Sequence, residues 1–161
     1  MYYYLPYDTD ILELDESAIS VDLLGEYVRR IPAKKIAVFL DTCQSGSAVK
    51  SLGRMAMSRS IDEERQIAGL AKAQGIAVFS ASAADEYAYE IPQLGNGIFT
   101  YSVLEALDTK RDEITIEGNI SLGKLLSSVQ RITRDTAYEY LGVEQSPSMY
   151  MFGDDFYLGQ Y

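Results

Sequence analysis

One cysteine, Cys43, stands in the run Leu40-Asp41-Thr42-Cys43-Gln44-Ser45-Gly46. A thiol among small residues can serve as a nucleophile. Its thiolate can attack a carbonyl carbon while its own backbone N–H points at the oxyanion that forms. A cysteine is also common as a small buried hydrophobe, and position alone leaves both readings open. None of the 161 residues is histidine, so these residues cannot supply an imidazole base. The lone cysteine excludes an intramolecular disulfide and a cysteine-based zinc cluster. It fits a reducing, cytoplasmic setting.

The elements that must position Cys43 follow from the apolar pattern. Ile36-Ala37-Val38-Phe39-Leu40 is short, apolar and rich in branched side chains. It reads as a strand buried on both faces, as in a parallel sheet, and Cys43 follows its end. Ile76-Ala77-Val78-Phe79-Ser80 reads the same way. Between them lies a loop of small and basic residues carrying Lys50, Arg54 and Arg59. It leads to a Ser60/Glu63 capping box that opens a helix to about Gln74. Strand, loop, helix and strand make a βαβ unit, with the site beyond the strands' C-terminal ends.

Other elements frame this unit. Pro6 closes an extended aromatic opening, Tyr2-Tyr3-Tyr4. Ser20 caps a helix to about Arg30, with Leu23, Leu24, Tyr27 and Val28 on one face. Gly95-Asn96-Gly97 forms a turn before a helix from Ile98 to Leu107 that buries Val103, Leu104 and Leu107. Ser121 opens a long amphipathic helix with Leu122, Leu125, Leu126, Val129 and Ile132 inward. Met149-Tyr150-Met151-Phe152 reads as a terminal strand. Alternating strands and helices predict one α/β sandwich domain with a mainly parallel central sheet.

Several segments carry a resemblance. Asp41-Thr42-Cys43-Gln44-Ser45-Gly46 resembles the Asp-x-Cys-x-Ser-Gly motif of caspase-like cysteine peptidases, in the style of metacaspases and bacterial caspase homologues. Tyr3-Tyr4-Leu5-Pro6-Tyr7-Asp8 is similar to the segment shortly after that family's catalytic His-Gly. Phe79-Ser80-Ala81-Ser82, with Asp85 through Glu90, looks like its strand and pocket loop. Gly95-Asn96-Gly97-Ile98-Phe99-Thr100-Tyr101 resembles its Gly-x-Gly-x-Phe-Thr helix start, and Gln145-Ser146-Pro147 a late Gln-x-Pro. The resemblance spans nearly the whole chain and implies a three-layer α/β/α sandwich of caspase type.

The resemblance also implies roles. Cys43 would be the nucleophile of a Cys–His dyad whose His lies upstream of this chain, so residues 1–161 would be a domain missing its N-terminal part and inactive alone. Aspartate-specific caspases line their P1 pocket with arginines. Here Asp41 precedes the cysteine by two positions, and Glu90 falls in the pocket loop beside Asp85 and Glu86. Such a pocket would repel an acidic P1 side chain and pair with Arg or Lys. Otherwise Asp41 is a loop cap and Glu90 a solvated acid. The basic loop would then be a self-processing segment, or simply solvated. The implied function is a cysteine endopeptidase acting on protein or peptide substrates. The rival is a catalytically silent caspase-like interaction module.

Charge narrows the field. Lys and Arg total 14 against 24 acids, a net charge of −10, which argues against nucleic-acid binding. The tyrosine-rich start has no interleaved bases, so it makes a poor stacking groove. No apolar run is long enough for a membrane span, and the first residues lack the basic and apolar regions of a signal peptide. The acidic segments Asp108–Glu117 and Asp154–Asp155 lack regular EF-hand spacing, so no metal is assigned. No Gly-rich phosphate loop follows a strand, and no cofactor is implied.

Overall fold

The computed structural model describes residues 3–42, 75–83 and 86–160. Cys43, Asp85, the helix expected after Ser60, and the loop with Lys50, Arg54 and Arg59 lie outside the described residues.

The aromatic opening forms β1 (Tyr3–Tyr4). After a short helix, α1 (Leu14–Ser17), it pairs antiparallel with β2 (Ile19–Ser20). Ser20 then caps α2 (Val21–Arg30), its hydroxyl accepting from the Leu23 N–H at 3.1 Å. Arg29 and Arg30 close the helix where its dipole favours cations. The inward stripe is Val21, Gly25 and Val28, with Leu24 half-buried, whereas Leu23 and Tyr27 are exposed. The expected face was therefore rotated. The stripe spaced i, i+4, i+7 meets the sheet, and Gly25 in its middle adds no bulk between helix and strands.

The two apolar runs become β3 (Lys35–Leu40) and β4 (Gly75–Ser80), parallel and in register from Lys35↔Gly75 to Leu40↔Ser80. Burial differs from expectation. β4 is buried on both faces apart from a half-buried Ile76, while β3 is half-buried with Lys35 and Phe39 exposed. Among the described residues β3 forms one edge of its sheet and β4 the centre.

Beyond β4, β5 (Glu90–Ile91) and β6 (Asn96–Gly97) form a small antiparallel hairpin, closed by a 3-10 turn at Pro92–Leu94. It leads into α3 (Ile98–Thr109), which buries Ile98, Phe99, Ser102 and Ala106. Val103 and Leu107 flank the core, but Leu104 is exposed, because it lies off the 98–102–106 stripe. Next come α4 (Arg111–Ile114) and the strands β7 (Thr115–Ile116) and β8 (Asn119–Ser121). The Ser121 hydroxyl caps α5 (Leu122–Leu141), accepting from the Lys124 N–H at 3.3 Å. All five side chains expected inward on α5 are buried. Each such burial stabilises the fold by roughly 2 kcal/mol.

The expected terminal strand is β9 (Ser148–Phe152), antiparallel to β4 from Ile76↔Phe152 to Ser80↔Ser148. β10 (Tyr157–Gln160) follows and pairs with β8. Among the described residues the main sheet is therefore mixed rather than mainly parallel. The cause is the connection 142–147, which joins α5 to β9. It starts where Gly142, at φ +67°, ends the helix, and it enters β9 at the edge where β4 ends. A parallel strand would have to start at the opposite end of β4, beside Ile76.

The sheet buries both faces. Val38, Leu40, Ile76, Val78 and Tyr150 meet α2 through Val21 and Leu24. Ala37, Ala77, Phe79 and Met151 meet α3 and α5 through Phe99, Ala106, Leu125 and Val129. The fold is α/β, and the C-terminal edge of β3 and β4 leads into Asp41 and into the segment that starts at Ala81.

Candidate active site

Asp41 directly follows β3. Its Oδ2 accepts from the Thr100 N–H at 3.2 Å and from the Thr100 hydroxyl at 2.5 Å. The N-cap of α3 is Gly97, which has no side chain to satisfy the helix's first N–H groups. Asp41 does so from across the sheet edge, where a helix N-terminus favours an anion. Asp41 thus caps the first turn of α3 rather than a loop. Both bonds fall on Oδ2.

Gly97 makes this contact possible. A Cβ placed there would lie 2.7 Å from Asp41 Oδ2. Gly97 also pairs with Glu90 across the β5–β6 hairpin. Directly opposed residues of an antiparallel pair project side chains to the same face. The Asp41 carboxylate occupies the side-chain space of Gly97, so it shares a face with Glu90. Glu90 is exposed, and among the described residues its carboxylate has no hydrogen-bond or ion-pair partner. It lines a surface groove with Ile91, Pro92, Gly95, Asn96 and Gly97, which Asp41 does not itself line.

The loop leading to Glu90 is held by hydrogen bonds. The Ala81 N–H donates to Leu40 O at 3.0 Å, joining it to the end of β3. Ser80 donates its hydroxyl to Ser82 O at 2.7 Å, and Ser82 donates to Glu86 O at 3.1 Å. Gln145, fully buried, donates Nε2–H to Ala81 O at 2.9 Å and accepts from the Tyr89 N–H at 3.1 Å. Glu86 Oε2 accepts from the Ser146 N–H at 2.6 Å, so this acid anchors the loop. The Tyr89 carbonyl accepts from the Ile98 N–H at 2.9 Å, tying the loop to α3.

The structure thus brings Asp41 and Glu90 to one face beyond the strand ends. It does not bring Glu86 there as a free acid, and Cys43 and Asp85 lie outside the described residues. Sequence reasoning missed Thr100 and Gly97 as partners of Asp41. The available signal was a helix start with glycine at the N-cap and no capping side chain of its own. Chemically, two carboxylates on one hairpin face suit a cationic ligand group. Among the described residues no cluster of three or more His, Cys, Asp or Glu could hold a metal ion, and no helix is long and apolar enough to cross a membrane.

A family model described as the caspase domain matches residues 2–157. No curated protein matches the chain, and no solved structure does. The match covers more than half of the chain and includes every element from β1 to β9. The chain belongs to the caspase domain family, a family of cysteine peptidases.

Proposed function

We propose that this domain is a cysteine endopeptidase that cleaves proteins or peptides after Arg or Lys. Cys43, two residues beyond Asp41, gives its thiol proton to a histidine supplied from upstream of residue 1. The thiolate attacks the scissile carbonyl carbon, and the Cys43 N–H forms half of the oxyanion hole. As the C–N bond breaks, the histidine returns the proton to the leaving amine, and water then hydrolyses the thioester. The P1 cation is held by Asp41 and Glu90. Helices against both sheet faces support a three-layer sandwich around this site.

The observation that carries the reading is that the Asp41 carboxylate fills the side-chain space of Gly97, on the hairpin face that Glu90 shares. An acidic pair favours a basic P1 side chain and opposes an acidic one. The test is a P1 series on the peptidase with its upstream histidine segment present. Arg and Lys peptides are expected to be cleaved and Asp peptides refused. Faster cleavage after Asp overturns the specificity. The absence of histidine from the chain favours a second reading, a catalytically silent interaction module. No Cys43-dependent cleavage with the histidine supplied would establish that one instead.

A further inference from the structure

Gln145-Ser146-Pro147 plays no part in the chemistry above, yet it holds the loop that carries Glu90. We propose that Gln145 is a positioning residue that, through Ala81 and Tyr89, sets the P1-specificity residues Glu86–Glu90 against the C-terminal edge of the sheet. The proposal rests on the function proposed above, because it assigns that segment its role.

A primary amide carries one acceptor and one donor group at a fixed separation. Gln145 uses both at once, donating to Ala81 O at 2.9 Å and accepting from the Tyr89 N–H at 3.1 Å. These contacts pin the segment at Ala81 and Tyr89 from one residue, 64 and 56 positions away in the chain. The side chain is fully buried, so neither bond can be replaced by bulk water. Ser146 adds a third tie through its N–H to Glu86 Oε2 at 2.6 Å. The arrangement engages Glu86 and leaves Glu90, one residue past the Tyr89 tie, to face the substrate cation. Tyr89 also accepts from Ile98 in the first turn of α3, the helix that Asp41 caps. Gln145 therefore acts on Glu90 through the backbone beside it, and on Asp41 through the Ala81–Leu40 hydrogen bond and the helix start that Asp41 caps, and it touches neither carboxylate. The segment after α5 is itself fastened, since Gln130 Nε2 donates to Pro147 O at 3.3 Å.

Gln145→Met keeps the length of the side chain and removes both hydrogen bonds. In the peptidase with its histidine segment, kcat/KM for a P1-Arg peptide is expected to fall at least tenfold, carried by KM, with kcat within twofold. A matched P1-norleucine peptide should change less than threefold, because it does not use the carboxylates. Equal losses on both peptides would make Gln145 a stability residue only and overturn the proposal. Gln145→Glu can donate to Ala81 O only when protonated, so its P1-Arg activity relative to the unmodified enzyme should rise as pH falls. A flat ratio counts against the proposal. If the unmodified enzyme shows no basic preference, the function proposed above fails, and positioning is then read on the present chain by amide hydrogen exchange. Gln145→Met should speed exchange at Tyr89 at least tenfold relative to the β4 amides, and unchanged exchange there overturns it. Should Gln145→Met not fold, Gln145→Asn, one methylene shorter, carries the same readouts with the same deciding outcomes.

Discussion

The carboxylate of Asp41 sits where a side chain at Gly97 would be: an added Cβ would lie 2.7 Å from its Oδ2. Gly97 has φ −56° and ψ 147°, a conformation open to any residue. The glycine is needed for space rather than for backbone freedom, so Gly97→Ala isolates the clash. Alanine should push Asp41 away from Thr100 and leave the first turn of α3 without its cap. Losing a cap costs about 1 kcal/mol, and chemical denaturation should show a loss of at least that size. Unchanged stability would mean that Asp41 does not cap α3 through this space.

Two substitutions separate the capping of α3 by Asp41 from the P1 role proposed for it. Asp41→Asn keeps an oxygen that can accept from Thr100 but removes the charge. Its stability should stay within about 0.5 kcal/mol of the unmodified chain, since much of the cap survives. Its cleavage after Arg should fall by about tenfold or more, as expected when a charge-assisted contact becomes a neutral one. Asp41→Ala should lose both, with destabilisation of about 1 kcal/mol. Denaturation and peptide kinetics on the same pair of variants check this. An Asn variant with full activity after Arg would confine Asp41 to capping.

Much of the architecture was legible because it repeats. Leu122, Leu125, Leu126, Val129 and Ile132 sustain a helical period, and all are buried in α5. The runs at Ile36 and Ile76 announced two neighbouring strands, which pair in parallel. Periodicity is mute over two residues, so the β1–β2, β5–β6 and β7–β8 pairings were not legible. The direction of β9 depends on where α5 ends, which is a tertiary fact. The site was legible in its residue types and not in its wiring. Asp41 and Thr100 are 59 positions apart, and Gln145 and Ala81 are 64 apart. Contacts that distant leave no periodic trace.

Cys43 should be the sole nucleophile, and residues 1–161 should be inactive without an added histidine, because the chain has one cysteine and no imidazole. Supplying the upstream histidine segment should give peptide cleavage, and Cys43→Ala should abolish it. Rate measurements on three proteins decide the matter: the chain alone, the extended chain, and the extended Cys43→Ala variant. Comparable activity in the first two would refute the dyad, and full activity in the third would refute the nucleophile.

Glu90 tests the acidic face from its exposed side. It has no partner among the described residues, and it stands opposite Gly97 on the face that Asp41 shares. Changing it should therefore leave folding nearly intact, within the roughly 0.5 kcal/mol usual for surface sites. Glu90→Gln removes one of the two charges of the proposed P1 subsite, and cleavage after Arg and Lys should weaken mainly through KM. Glu90→Lys goes further by placing a cation beside Asp41, where it can pair with that carboxylate and repel a basic P1 side chain. Its preference for Arg over norleucine at P1 should collapse by more than the Gln variant's. The order unmodified, Gln, Lys is what separates a charge effect from a steric one, because Gln and Glu have nearly the same shape. Peptide pairs differing only at P1, measured at low and high salt, supply the check. Salt should narrow the difference between the three proteins as exposed charges are screened. If Glu90→Lys keeps the full preference for Arg, Glu90 is a solvated surface acid and the P1 cation is held without it.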